Sequence, residues 1–66
     1  KLSKQEVMVL RYLAKGFNCS DIAGLLDIST HTVTTYIKRI YHKLAVHSRG
    51  EAVYEAHKMG LINLDE

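Results

Sequence analysis

Lys38, Arg39, Lys43 and Arg49 stand between Thr30 and Gly50, a stretch without a single acid and therefore with a local charge of +4. His31, His42 and His47 fall in the same window, while the whole chain carries only +2. A basic block inside a nearly neutral chain suits a surface that faces a polyanion; by charge alone, an ordinary solvated helix face would look the same. Hydroxyls crowd the start of the block at Ser29, Thr30, Thr32, Thr34 and Thr35, and Asn18 and Ser20 lie upstream. Such groups hydrogen-bond phosphates and base edges, so the chemistry to be weighed first is non-covalent recognition of nucleic acid.

Other chemistries find little in the sequence. Cys19 could stand at a helix N-terminus, where its thiol would be activated, but no histidine follows at a useful spacing. A small residue at the first helical position is the better reading, and no enzyme is expected. His42 and His47 are five residues apart across a helix end, and His31 and His42 lie about three turns apart, so neither pair holds a metal. One cysteine forbids an internal disulfide, and neither cofactor nor metal is expected.

A chain of 66 residues makes one small domain and buries only about 60% of the surface it exposes unfolded. Apolar residues at 47% exclude a disordered tail, and no apolar run approaches the roughly 18 residues of a membrane span. A free thiol and the lack of a signal peptide fit a cytoplasmic protein. The chain opens on Lys1 rather than Met and is expected to be a piece of a longer protein.

Punctuation predicts four helices and no strand, an all-α, compact four-helix bundle. Ser3 with Glu6 reads as a capping box opening helix 1, which runs to about Lys15 and carries Val9, Leu10, Leu13 and Ala14 on one stripe. Gly16 closes it, with Phe17 able to pack back on Tyr12. Asn18 with Asp21 opens helix 2, whose stripe is Ile22, Ala23, Leu25 and Leu26, with Gly24 on the opposite face. After Asp27-Ile28-Ser29, helix 3 (about 30–44) repeats Val33, Ile37, Ile40, Tyr41 and Leu44 with a 3.6-residue period. Ser48 with Glu51 reads as a third capping box; helix 4 (about 49–59) presents Ala52, Val53, Ala56 and Met59 and stops at Gly60, with Leu61 folding back on Ala56.

A short helix, a three-residue turn and a longer helix make a helix-turn-helix, which offers the N-terminal half of its second helix to the DNA major groove. Opposite the apolar stripe of helix 3 lie His31, Thr35, Lys38 and His42, flanked by Thr34 and Arg39. Threonine can bond a base edge or touch a thymine methyl, and lysine reaches guanine acceptors. Free N–H groups at the helix start, beside Ser29, Thr30 and Thr32, favour a phosphate, and Asn18 and Ser20 offer similar groups at helix 2.

These residues also carry a resemblance. Leu2-Ser3-x-x-Glu6, Val9-Leu10-x-x-Leu13-Ala14-x-Gly16, Asp21-Ile22-Ala23-x-x-Leu26-x-Ile28-Ser29, Thr32-Val33, Ile40-x-x-Lys43-Leu44-x-Val46-x-x-Arg49-x-Glu51-Ala52-Val53 and Gly60-Leu61 together resemble the LuxR-type (NarL/FixJ, GerE-like) helix-turn-helix domain. The likeness spans nearly the whole chain without an insertion. It implies the DNA-binding effector of a bacterial transcription regulator, such as a response regulator, acting as a homodimer on inverted half-sites with helix 4 at the dimer contact. RNA polymerase is a compatible further partner.

Carried over by position, Thr34, Thr35 and Lys38 contact bases, and Ser29, Thr30, Thr32 and Arg39 lie near phosphates; Asn18 and Ser20 at the start of helix 2, and His31 and His42 on the far face of helix 3, are expected to join them. Thr34 stands where the family very often has lysine and Tyr36 where it usually has histidine, so the family's base preferences do not transfer. Val7 and Met8 replace usually charged residues and face either the core or the rest of the parent protein. Similar domains join Glu6 and Arg49 by a salt bridge, and that staple is preferred here to a DNA contact by Arg49. Lys43 beside the stripe either reaches DNA or covers the core. Val53, Tyr54 and His57 on helix 4 are the dimer candidates. Two alternatives stand beside this reading. One is the promoter-reading region of a sigma factor, which the capped fourth helix argues against; the other is a protein-docking module of the same fold, using Val7, Met8, Ile62 and Leu64.

Overall fold

Each helix begins on a side chain supplied by its own neighbourhood in the sequence. The computed structural model describes residues 1–61 and forms α1 (Lys4–Ala14), α2 (Cys19–Leu26), α3 (Thr30–Leu44) and α4 (Arg49–Lys58), with no strand among the described residues. Ser3 and Glu6 close the expected capping box, the Ser3 N–H donating to Glu6 Oε1 at 2.8 Å and the Glu6 N–H to Ser3 Oγ at 3.2 Å. Asn18 and Asp21 form the same reciprocal pair, and Ser29 Oγ accepts from the Thr32 N–H at 3.1 Å. At α4 the expected box is altered. Ser48 Oγ accepts from the Glu51 N–H, but Glu51 Oε1 takes the His47 N–H at 2.7 Å instead of that of Ser48. The loop before α4 is thereby fixed one residue further out.

All four helices stop by one device. A left-handed residue turns the chain, and the next N–H returns to a carbonyl five residues back. The pairs are Gly16 with Phe17, Asp27 with Ile28, Ala45 with Val46, and Gly60 with Leu61. Their closing bonds run to Tyr12, Ala23, Tyr41 and Ala56 respectively, at 2.9–3.1 Å. The second member is apolar each time and packs on the core. Phe17 meets Tyr12 edge-on, as expected, with ring centroids 5.7 Å apart. Two of these turns have no glycine: Asp27 and Ala45 take φ 57° and 56°.

The core gathers Val9, Leu10 and Leu13 from α1, Ile22 and Ala23 from α2, Val33 and Ile40 from α3, Val46 from the last turn, and Ala52 and Ala56 from α4. Only alanines come from α4, which lets its backbone lie close to the rest. Leu25 departs from the expected stripe: it is 52% exposed, because Ile22 and Ala23 set the phase of α2 and the core is filled without it. Met59 is likewise half-exposed and caps α4 rather than extending it. Met8 lies on the surface and Val7 is half-buried. Ile62 and Leu64 lie outside the described residues.

Left-handed backbone costs an alanine roughly 1 kcal/mol that a glycine is spared. Ala45→Gly is therefore expected to stabilise the chain by about 0.5–1 kcal/mol, read as a higher midpoint in thermal unfolding followed by circular dichroism. A lower midpoint would show that the turn is not held at positive φ.

Candidate nucleic-acid interface

The phase of α3 about its own axis is set by Val33 and Ile40, which have no exposed surface. Tyr36, Ile37, Tyr41 and Leu44 pack beside them. Across the helix, His31, Thr34, Lys38, Arg39 and His42 are exposed and Thr35 is half-buried. This is the face expected from the sequence, and it holds no acid.

Hydrogen bonds refine what that face can offer. Thr34 Oγ1 donates to the Thr30 carbonyl at 3.0 Å and Thr35 Oγ1 to the His31 carbonyl at 3.1 Å. Both hydroxyl protons are thus spent on the helix backbone. Ser29 Oγ and Thr32 Oγ1 share a bond at 2.9 Å while Ser29 also caps the Thr32 N–H, leaving one hydroxyl proton of the pair for an outside acceptor. Thr30 and His31 are exposed beside them, as are Asn18 and Ser20 at the start of α2. The Asn18 oxygen is already occupied by the Asp21 N–H.

The basic block divides in two. Lys43 Nζ lies 2.7 Å from Glu6 Oε1 and 3.2 Å from the Lys1 carbonyl, so this lysine covers the core and ties α3 to the start of the chain. The expected Glu6–Arg49 bridge is not formed, because Lys43 takes the carboxylate. Arg49 instead donates from Nη2 to the carbonyls of Leu13 and Phe17, at 2.7 and 2.8 Å. It still staples α4 to α1, through the Leu13 carbonyl at the negative end of the helix dipole and the Phe17 carbonyl in the turn beyond it. Among the described residues neither Lys38 nor Arg39 enters a salt bridge. Two of the block's four cations, Lys38 and Arg39, are thus left to face a partner, with His31 and His42 beside them.

Of the dimer candidates on α4, Tyr54 is 63% exposed and His57 exposed, whereas Val53 is half-buried. The Lys58 ammonium sits 5.8 Å from the centre of the Tyr54 ring. A shallow groove of about 480 Å³ lies beside Tyr54, lined also by Val46, His47, Gly50, Glu51 and Glu55. Cys19 is half-buried at the start of α2. No cluster of histidine, cysteine and carboxylates suited to a metal occurs among the described residues, and none of their helices is long and apolar enough to cross a membrane.

Comparison with known proteins gives this geometry a context. The model of the family "Bacterial regulatory proteins, luxR family" matches residues 1–56. The transcriptional regulatory protein YdfI of Bacillus subtilis (strain 168) is 40% identical over 65 residues, covering 98% of this chain and 30% of YdfI. The HTH-type transcriptional regulator MalT of Klebsiella pneumoniae subsp. pneumoniae is 36% identical over 58 residues, 88% of this chain and 6% of MalT. Among solved structures, response regulator ChrA of a heme-sensing two-component system superposes with a TM-score of 0.88 at 37% identity, over 94% of this chain and 31% of ChrA. The chain therefore spans less than a third of these proteins.

Glu6 anchors the face from behind. It is 2% exposed, and its carboxyl is held below its ordinary value of 4.5 by the Lys43 ammonium and by the Ser3 N–H, against the opposing effect of burial. The folded state thus holds the Glu6 proton less tightly than the unfolded one. Its stabilisation is complete above the ordinary carboxylate range and fades as pH falls through the lowered folded value. In urea titrations from pH 7 to 2, Glu6→Gln is expected to cost about 1–3 kcal/mol at neutral pH and to flatten the acid limb. The half-exposed Lys43 keeps the loss within that range, since water can solvate it. An unchanged acid limb would remove Glu6 from this role.

Proposed function

The chain belongs to the luxR family of bacterial regulatory proteins, and from that membership and the outer face of α3 we propose that it binds duplex DNA sequence-specifically, as the effector domain of a bacterial transcription regulator. The observation that carries this is a helix whose buried side is fixed by Val33 and Ile40 and whose other side holds Lys38, Arg39, two threonines and two histidines without an acid. In this reading α3 lies in the major groove, with Thr34, Thr35 and Lys38 against bases. Arg39, His31, His42, Thr30 and the Ser29–Thr32 pair meet phosphates, joined by Asn18 and Ser20 at the start of α2. Lys43 and Arg49 stay with the protein.

A second chain docks on α4 through Tyr54 and His57, with Val53 at the edge, so that two copies of α3 meet inverted half-sites. The parent is a longer cytoplasmic regulator whose other domains receive the signal; a receiver domain and a ligand-binding domain both suit this effector, likeness to response regulator ChrA supports the first, and RNA polymerase is a compatible further partner.

Fluorescence anisotropy with a random-sequence duplex, titrated across salt, tests the reading. With two unpaired cations on the outer face of α3, Lys38 and Arg39, log Kobs is expected to fall with log salt at a slope of about −2 per chain and about −4 for a bound pair. On a selected operator, Lys38→Ala is expected to cost about 1–3 kcal/mol and to relax the choice of base beneath it. An equal loss on every sequence would make Lys38 a phosphate contact. Salt-insensitive association would favour a protein-docking module instead. Tyr54→Ala is expected to abolish cooperative filling of two half-sites in a gel-shift assay while leaving binding to one half-site unchanged. Cooperativity retained in that variant would move the dimer contact elsewhere.

A further inference from the structure

We propose that Thr34 and Thr35 recognise thymine through their methyl groups and do not donate a hydrogen bond to any base; this rests on the DNA-binding reading above. A threonine hydroxyl has one proton, and in both residues it is spent on the carbonyl four residues back. What each side chain still offers to a partner is its γ-methyl and the hydroxyl lone pairs. The two stand in consecutive positions on the exposed side of α3, Thr34 exposed and Thr35 half-buried.

Of the major-groove edges, guanine and thymine differ most sharply against that offer, while the amino groups of adenine and cytosine meet only the remaining lone pairs. Guanine presents only acceptors, N7 and O6, and a threonine without a free proton has nothing to give them. Thymine presents a C5 methyl, which gains by losing water against another methyl. The donor that guanine needs lies at Lys38, one turn further along, exposed and outside any salt bridge among the described residues. The reading face is thus divided: an apolar, thymine-seeking half formed by Thr34 and Thr35, and a cationic, guanine-seeking half formed by Lys38. The chain's own threonine pair, and not a second lysine, makes this division.

The experiment begins with an operator selected from random duplexes using this chain. Each thymine is then replaced in turn by deoxyuracil, which removes the methyl and keeps the pairing. Uracil at the thymines beneath Thr34 and Thr35 is expected to weaken binding about fourfold per methyl, the equivalent of about 0.8 kcal/mol for one buried carbon. Thr34→Val and Thr35→Val keep a methyl and a similar helix propensity. They are expected to bind within about twofold of the native chain and to retain the uracil effect. Thr34→Ser and Thr35→Ser keep the hydroxyl only, and are expected to bind weakly and to ignore uracil. Circular dichroism confirms that all four variants are folded. A native chain indifferent to uracil at every position would overturn the proposal while leaving DNA binding intact. So would valine variants that bind weakly beside serine variants that bind normally, since the hydroxyl would then carry the readout. Absence of salt-dependent binding to any duplex would overturn both this inference and the reading beneath it.

Discussion

Val33 and Ile40 lie seven residues apart on α3, close to two full turns, and neither has any surface left exposed. Two such anchors on one line fix both the depth at which α3 sits and its rotation about its own axis. Rotating the helix by one residue would lift both side chains into water, at about 1.5–3 kcal/mol each. Everything on the outer face follows from this. Thr34, Lys38 and His42 point outward because Val33 and Ile40 cannot. The other helices serve the same constraint: α1 and α2 supply Leu10 and Ile22 to the core cluster that the anchors join, and α4 adds two alanines.

Polar contacts then hold the ends of the assembly in place. Glu6 is the only buried charged residue among those described. One carboxylate caps α1, receives Lys43 from the last turn of α3, and through that lysine fixes the Lys1 carbonyl. Arg49 does the corresponding work for α4 by filling one carbonyl at the end of α1 and one in the turn that follows it. The basic residues thus have two occupations that their spacing does not distinguish. Lys43 and Arg49 join helices, and Lys38 and Arg39 remain turned to solvent. The field in front of α3 is weaker than the composition of that stretch suggests, but it is carried by the residues nearest the proposed groove.

Local features were legible in the sequence because their causes are local. Ser3-x-x-Glu6, Asn18-x-x-Asp21 and the Ser29 cap involve atoms three residues apart, and all three form. The terminators at Gly16 and Gly60 could be read because glycine marks a left-handed residue. Asp27 is a weaker mark, since aspartate takes positive φ more readily than most residues but far less than glycine, and Ala45 gives no mark at all; the apolar residue following each is the further clue. The partner of Glu6 was out of reach for another reason. Lys43 is 37 residues away, and the choice between it and Arg49 depends on how far α3 and α4 each lean toward α1. The spent hydroxyls of Thr34 and Thr35 were equally hidden, because a threonine in a helix has two good rotamers and its type does not choose between them.

The turn Asp27-Ile28-Ser29 joins two rigid endpoints: a left-handed stop with Ile28 tied to the Ala23 carbonyl, and a start with Ser29 bound to Thr32. One added residue there could not rotate α3, whose phase Val33 and Ile40 hold; it would have to be absorbed by breaking one of these two closures. The length of this turn is therefore a constraint separate from its composition. Thr34, Lys38 and His42 lie outside the core and can be exchanged one at a time without disturbing the join. Added length would act on the join itself, so the outer face of α3 is free to vary in a way that the span between α2 and α3 is not.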